Sequence, residues 1–158
     1  MKQRTTALIL SLLLILGLTA CGSKEVTVDL NEVRAEMLET QNPEEPWMLE
    51  TDALKNLYGI EAEDVAQSAS YVTMSGTFPD EVILVQAVDE KAAERVQSAL
   101  SARLSEVMVQ SQNYDPDNYA AAQKCTVSVD GTYVALILSP DQEALRTVYG
   151  ACFAHAPD

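Results

Sequence analysis

The segment DEVILVQAVDEKAAERV, residues 80–96, decides the fold of this chain. Residues 81–88 within it are almost continuously apolar, which is typical of a strand buried on both faces. Asp89 then precedes apolar residues spaced three to four apart, which predicts a long helix to about Gln112. Upstream, residues 71–75 alternate in polarity, and the Gly and Pro that follow predict a hairpin. The buried stripe of the long helix is predicted to consist of Ala93, Val96, Leu100, Leu104, Val107 and Met108.

A shorter copy of this arrangement follows in the sequence. Predicted strands at 125–129 and 132–138 flank Asp130-Gly131, a strong two-residue hairpin signal. Pro140-Asp141 then opens a final helix to about Phe153. The two strands that are apolar on both faces should be central, and the other two should form the edges. We therefore predict an α+β fold, a four-stranded antiparallel sheet from two strand-strand-helix units, with the N-terminal helices packed on it.

Two shorter helices are predicted ahead of the sheet. Asp29 can cap the first, which extends to about residue 40. Thr51 or Asp52 can cap the second, and Gly59 ends it. The narrow apolar face of the first helix contains Leu30, Val33 and Met37.

The only tryptophan, Trp47, lies just before the second predicted helix. A lone tryptophan in such a place is more often a lid on the core than a platform for a ligand, because the indole carries a large apolar area. We expect the core position and keep the ligand platform as the alternative.

Cys125 and Cys152 raise the question of a disulfide, which an extracytoplasmic location would permit. The final helix should carry Cys152 about 18 Å from the level of Cys125, at about 1.5 Å per residue. Bridged Cα atoms lie within about 7 Å of each other. We therefore predict two free, buried apolar thiols.

The first 21 residues have the three parts of a lipoprotein signal. Lys2 and Arg4 give a positive start, residues 7–18 are apolar, and Leu18-Thr19-Ala20-Cys21 forms a lipobox. The uncharged run of 16 residues from 5 to 20 is shorter than the roughly 20 that span a bilayer. We predict lipidation of Cys21, with an uncleaved anchor or plain secretion as alternatives.

The domain layout follows from this signal. Residues 1–20 are predicted to be the signal peptide, 21–28 the lipidated cysteine and a short tether, and 29–155 one globular domain. Two acyl chains hold a protein durably on a membrane. The expected location is the extracytoplasmic face of the cell membrane.

The chain is strongly acidic. The signal contains two of the ten basic residues and none of the 24 acidic ones, so the formal charge of −14 becomes −16 for residues 21–158. This charge argues against binding to nucleic acid, because such binding needs Lys and Arg side chains that neutralise the phosphates. It also argues against electrostatic binding to anionic lipid headgroups. A solvated surface is the ordinary explanation, and a cationic ligand or partner is the alternative.

Catalytic and metal motifs are scarce in the sequence. The only histidine is His155, close to the end of the sequence given. Cys152-x-x-His155 offers only two of the three or four protein ligands that a zinc site uses. Asp115-Pro116-Asp117 begins like a calcium loop but lacks its central glycine and closing glutamate. We predict no metal, no cofactor and no catalytic residues.

Four short motifs follow the lipobox along the chain. They are Leu57-Tyr58-Gly59-Ile60, Asp80-Glu81-Val82-Ile83, Tyr114-Asp115-Pro116 and Val129-Asp130-Gly131-Thr132-Tyr133-Val134. Together with the lipobox, these motifs resemble the bacterial lipoprotein family named domain of unknown function 4358, and the resemblance covers about residues 33–148. The resemblance implies a lipid-anchored surface protein, typical of Gram-positive anaerobes, without an established activity. It also suggests a place beside polysaccharide-modifying enzymes of the envelope.

Two functions from different classes follow. The first is a non-enzymatic accessory or binding module of the cell envelope that contacts an envelope protein through two loops. The candidate interaction residues in these loops are Phe78, Asp80, Tyr114 and Asp117. The second is an envelope enzyme, for example a wall-polymer hydrolase with paired carboxylates, or a subunit of a polysaccharide-modifying system. The sequence leaves the oligomeric state open.

Overall fold

The computed structural model describes residues 27–74 and 79–154. Cys21 with its lipobox, Phe78 and His155 therefore lie outside the described residues, and the expectations about them remain predictions. Within the described ranges, no helix combines the length and the apolar character needed to cross a membrane.

One antiparallel sheet organises the described residues, in the order β1-β3-β4-β6-β5. β2 pairs with the second half of β4, on the edge whose first half pairs with β3. The α+β class and the central position of β4 and β6 confirm the prediction. The count of four strands was wrong in detail, because β1 and β2 were missed. The strands are β1 (Trp47–Met48), β2 (Val65–Ser68), β3 (Tyr71–Thr73), β4 (Asp80–Ala87), β5 (Ser128–Asp130) and β6 (Tyr133–Leu138).

Helices cover both faces of this sheet. Alternate residues of β4 face opposite ways, so Ile83 and Val85 join one buried cluster while Val82 and Leu84 join the other. The first cluster contains α2, α3 and α4, and the second contains α1 and α5. This arrangement explains why β4 is apolar almost throughout. The helices are α1 (Leu30–Gln41), α2 (Thr51–Tyr58), α3 (Glu90–Ser111), α4 (Pro116–Lys124) and α5 (Gln142–Ala154).

Side-chain caps fix the starts of two helices as predicted. The Asp29 carboxylate accepts the Asn31 N–H at 2.9 Å at the start of α1. The Asp89 carboxylate accepts the Ala92 N–H at 2.7 Å at the start of α3. Each carboxylate satisfies one N–H that has no partner within its helix.

The start of α2 differs from the prediction. Glu50 is the N-cap and makes no side-chain cap bond, so neither Thr51 nor Asp52 has that role. The end of α2 is confirmed, because Gly59 has a φ of 69°, a left-handed conformation that glycine adopts without steric cost.

The predicted loop around residue 115 is the beginning of a helix. Asp115 caps α4 by accepting the Asn118 N–H at 3.0 Å, and Pro116 occupies the first turn. Residue 125 ends this helix, which shortens the strand predicted at 125–129 to Ser128–Asp130. The hairpin at Asp130-Gly131 is confirmed.

Both cysteines in the described part of the chain are free, as predicted. Cys125 is buried and its thiol donates to the Ile137 carbonyl at 3.1 Å. Cys152 is only half-buried, so the expectation of two buried thiols was wrong for that residue.

Val28, at the end of the predicted tether, is already part of the folded core. Its N–H donates to the Tyr133 hydroxyl at 2.9 Å, and that hydroxyl donates to the Val28 carbonyl at 3.4 Å. The chain is therefore fixed to the sheet from residue 28 onward, at the end of β4 that is farther from Glu81.

Candidate functional site

A cleft of about 850 Å³ opens between the edge of the sheet and helices α2 and α3. This volume lies within the range of roughly 300–1,000 Å³ that is typical of small-molecule sites. Apolar, aromatic and charged side chains meet in it. The lining residues are Glu44, Glu45, Trp47, Leu57, Tyr58, Val72, Thr73, Met74, Pro79, Glu81 and Arg103.

The floor of the cleft is a row of side chains across three strands. Trp47 in β1 pairs with Val72 in β3, and Val72 pairs with Glu81 in β4. Residues directly opposite in neighbouring strands share one face of a sheet, and strands lie about 4.8 Å apart. Trp47 and Glu81 therefore stand on the same face, about 10 Å apart at the backbone.

Trp47 is 59% exposed, so the expectation that it forms a lid on the core was wrong. It lies on β1, the outermost strand of the described sheet on this side, where the cleft leaves the indole uncovered. The neighbouring Leu49, which is buried, makes the contact with the core instead. The alternative, a platform for a ligand, agrees with this position.

The inner end of the row is a buried ion pair. Glu81 is 2% exposed, and its two carboxylate oxygens accept hydrogen bonds from Nε and Nη2 of Arg103, the shortest at 2.6 Å. Arg103 also donates to Glu106 from Nη1 at 2.9 Å. A buried carboxylate without such a partner would be very unfavourable. The pair therefore explains how β4 tolerates a charge at a core position.

The protonation states on this floor are well defined. The hydrogen bond with Glu81 raises the pKa of Arg103 above its usual value. Burial, and secondarily the charge of Glu81, raises the pKa of the Tyr58 hydroxyl. Near neutral pH the guanidinium is charged and the phenol is neutral, so neither group is poised to exchange a proton.

The rim combines apolar and acidic groups. Leu57 and Met74 are exposed apolar residues, and Glu44 and Glu45 are exposed carboxylates. Glu45 has a φ of 48°, an uncommon left-handed conformation for a residue other than glycine. In the described part of the chain, no three His, Cys, Asp or Glu side chains are grouped as metal ligands would be. The arrangement suits a ligand with an apolar body and polar ends.

Comparison with known families shows which family this domain belongs to. The family model described as Domain of unknown function (DUF4358) matches residues 38–139, about two thirds of the chain. The chain belongs to this family. No curated protein and no solved structure matches it. The resemblance seen in the sequence is thus confirmed for the family, over a somewhat shorter span. The described residues that line the cleft all lie within the matched part of this DUF4358 domain.

Three of the four predicted interaction residues are described, namely Asp80, Tyr114 and Asp117, and none of them lines the cleft of the DUF4358 domain. Asp80 is buried, and its carboxylate accepts hydrogen bonds from Gln41 at 3.0 Å and from Ser139 at 3.1 Å. Tyr114 is 84% exposed, and Asp117 is exposed in the first turn of α4. Their role in an interaction remains a prediction, and Phe78 lies outside the described residues.

Sequence reasoning missed the cleft, although one signal pointed to it. Glu81 interrupts an apolar strand, and a charged residue in a central strand is rarely buried without a partner. A search of the long helix for that partner would have turned to Arg103, which lies next to Leu104 of the buried stripe. No comparable signal marked Trp47, because its exposure depends on strand β1, which is only two residues long.

Proposed function

We propose that this DUF4358 protein is a non-enzymatic binding module of the cell envelope, anchored by lipid at Cys21 on the extracytoplasmic face. The cleft that contains Trp47 is its ligand site. The observation that carries the proposal is an exposed indole in a cleft whose inner end is a buried, hydrogen-bonded ion pair. Clefts with aromatic walls and a few fixed polar groups are the usual form of ligand sites.

The position of Val28 supports a domain held close to the membrane. Val28 lies seven positions after Cys21, and seven residue-to-residue steps reach at most about 24 Å at about 3.4 Å each. Val28 is bonded to Tyr133, which pairs with Gln86 near the end of β4. Glu81 and the cleft lie five residues away along β4, or about 17 Å. An anchor at Cys21 would therefore keep the domain close to the lipid, with its attachment point and the cleft at different ends of β4.

The chemistry of the cleft favours binding over hydrolysis by paired carboxylates. A glycosidase needs one carboxylic acid that can give its proton to the leaving oxygen, with a second carboxyl group about 5 to 9.5 Å away. Both oxygens of Glu81 accept hydrogen bonds from Arg103, so this carboxylate has a positioning role in the cleft. Binding in the service of a polysaccharide-modifying enzyme would fit the same geometry.

The test is a cross-linking capture of the lipidated protein from its own membranes. Four versions are compared: wild type, Cys21→Ala, Trp47→Ala and Tyr114→Ala. We expect Cys21→Ala to leave the membrane fraction, and Trp47→Ala to stay there but lose what the wild type captures. Tyr114→Ala removes an exposed aromatic residue outside the cleft and tests the competing loop surface predicted from the sequence; if the cleft is the ligand site, this variant should capture as wild type does. Full capture by Trp47→Ala, or loss only in Tyr114→Ala, would contradict the proposed ligand site.

A further inference from the structure

The charges around the cleft are unbalanced. Among the described residues, three carboxylates and one guanidinium line it, namely those of Glu44, Glu45, Glu81 and Arg103. Arg103 already bonds both Glu81 and Glu106, so its positive charge is taken up by acidic neighbours. A ligand that enters the cleft therefore meets a negative potential, which repels anions and attracts cations.

Trp47 adds a second, independent preference for the same charge. The face of an indole ring carries a negative electrostatic potential and attracts cations that approach within about 6 Å. The exposed apolar side chains of Leu57 and Met74 share the cleft with this ring. They can pack against a hydrocarbon body while the charged end of the ligand lies over the indole or beside the rim carboxylates.

We infer, on the basis of the proposed function, that the ligand of the Trp47 cleft is a small organic cation with an ammonium group on an apolar body. The cleft volume accommodates such a molecule. An organic anion would leave its charge opposite the two exposed carboxylates of the rim, Glu44 and Glu45. A neutral apolar molecule would use the hydrophobic wall but none of the charge at the rim.

Trp47 is the only tryptophan of the chain, so tryptophan emission reports on the cleft directly. The lipidated protein in non-ionic detergent is titrated with n-butylammonium, butan-1-ol and butyrate, which share one carbon chain and differ in charge. We expect butylammonium to change the emission saturably and to bind roughly five-fold more tightly than butan-1-ol. Butyrate should bind weakest, and added salt should reduce the preference for the cation.

A matched pair of variants locates the charge effect. Glu44→Gln with Glu45→Gln should weaken butylammonium binding roughly five-fold and leave butan-1-ol binding unchanged. Glu32→Gln with Glu36→Gln makes the same charge change on α1, on the opposite face of the sheet, and should have little effect.

Two results would overturn this inference. Equal affinity for butan-1-ol and butylammonium would show that the cleft does not select for a positive charge, although it would remain a binding site. No emission change with any probe would also reject the ligand class. In both cases the capture experiment with Trp47→Ala decides the proposed function separately.

Discussion

Trp47 and Glu81 flank Val72 in one row across the sheet, so the exposed indole and the buried carboxylate face the same cleft. The row therefore runs from an exposed side chain to a buried one within three strands. Glu81 is held by Arg103, and this bond ties strand β4 to helix α3 beneath the indole. The two ends of the row should therefore respond differently to substitution.

Trp47→Ala should leave the fold intact. Because the side chain is largely exposed, we expect a change in the free energy of unfolding within about 0.5 kcal/mol. Leu54→Ala, at a fully buried position of α2, should cost about 2–5 kcal/mol in the same urea titration. A loss of several kcal/mol for Trp47→Ala would mean that the indole belongs to the core after all.

Arg103→Met should be strongly destabilising. It removes the partner of a buried carboxylate, and we expect a loss of about 3 kcal/mol in the free energy of unfolding. The double variant Glu81→Gln with Arg103→Met removes the uncompensated charge as well. Urea unfolding should therefore show it to be more stable than Arg103→Met alone. If the losses in the free energy of unfolding caused by the two single substitutions simply add in the double variant, a direct coupling between the two residues is contradicted.

The ion pair of Asp64 with Arg95 should make stability depend on pH. The hydrogen bonds from Arg95 lower the pKa of Asp64 in the folded protein. Its contribution is therefore present above the unfolded pKa of about 4 and is lost as the pH falls through the lower folded value. At pH 7, the urea concentration at the midpoint of unfolding should therefore be higher for wild type than for Asp64→Asn.

The difference in urea midpoint between wild type and Asp64→Asn should become smaller as the pH falls towards about 3. Glu63→Gln, at an exposed neighbour in the same turn, serves as the control and should show little such change. A gap that stays constant with pH would mean that the ion pair does not act through the Asp64 charge.

The mature protein should contain two titratable thiols when it is denatured without a reducing agent. Cys125 and Cys152 are free, and a thioether would block Cys21. In the native state both should react slowly with a thiol reagent, because burial raises the pKa of each, and Cys152 should react before the more buried Cys125. Three thiols would contradict lipidation, and none without a dimer would contradict the fold.

The parts of the fold that follow from periodicity could be predicted from the sequence. The apolar runs of β4 and β6 place them at the centre of the sheet, and Asp29 and Asp89 mark helix starts by a local hydrogen bond. These features depend on residues that are neighbours in the chain.

The rest depends on contacts between distant segments. Strand β1 exists only because Trp47 and Met48 pair with β3, and two residues carry no periodic pattern. Helix α4 begins at Asp115-Pro116, a sequence that equally suits a turn or the start of a calcium loop. The candidate site was missed for the same reason, since Glu81 and Arg103 are 22 positions apart.

The most direct test of the Trp47 cleft as a ligand site is native mass spectrometry of the lipidated protein, purified gently from its own membranes. Wild type is compared with Trp47→Ala and with Tyr114→Ala. We expect an additional bound mass on wild type and on Tyr114→Ala that is absent from Trp47→Ala. An additional mass that persists unchanged on Trp47→Ala would show that the ligand binds elsewhere and would contradict a ligand site at Trp47.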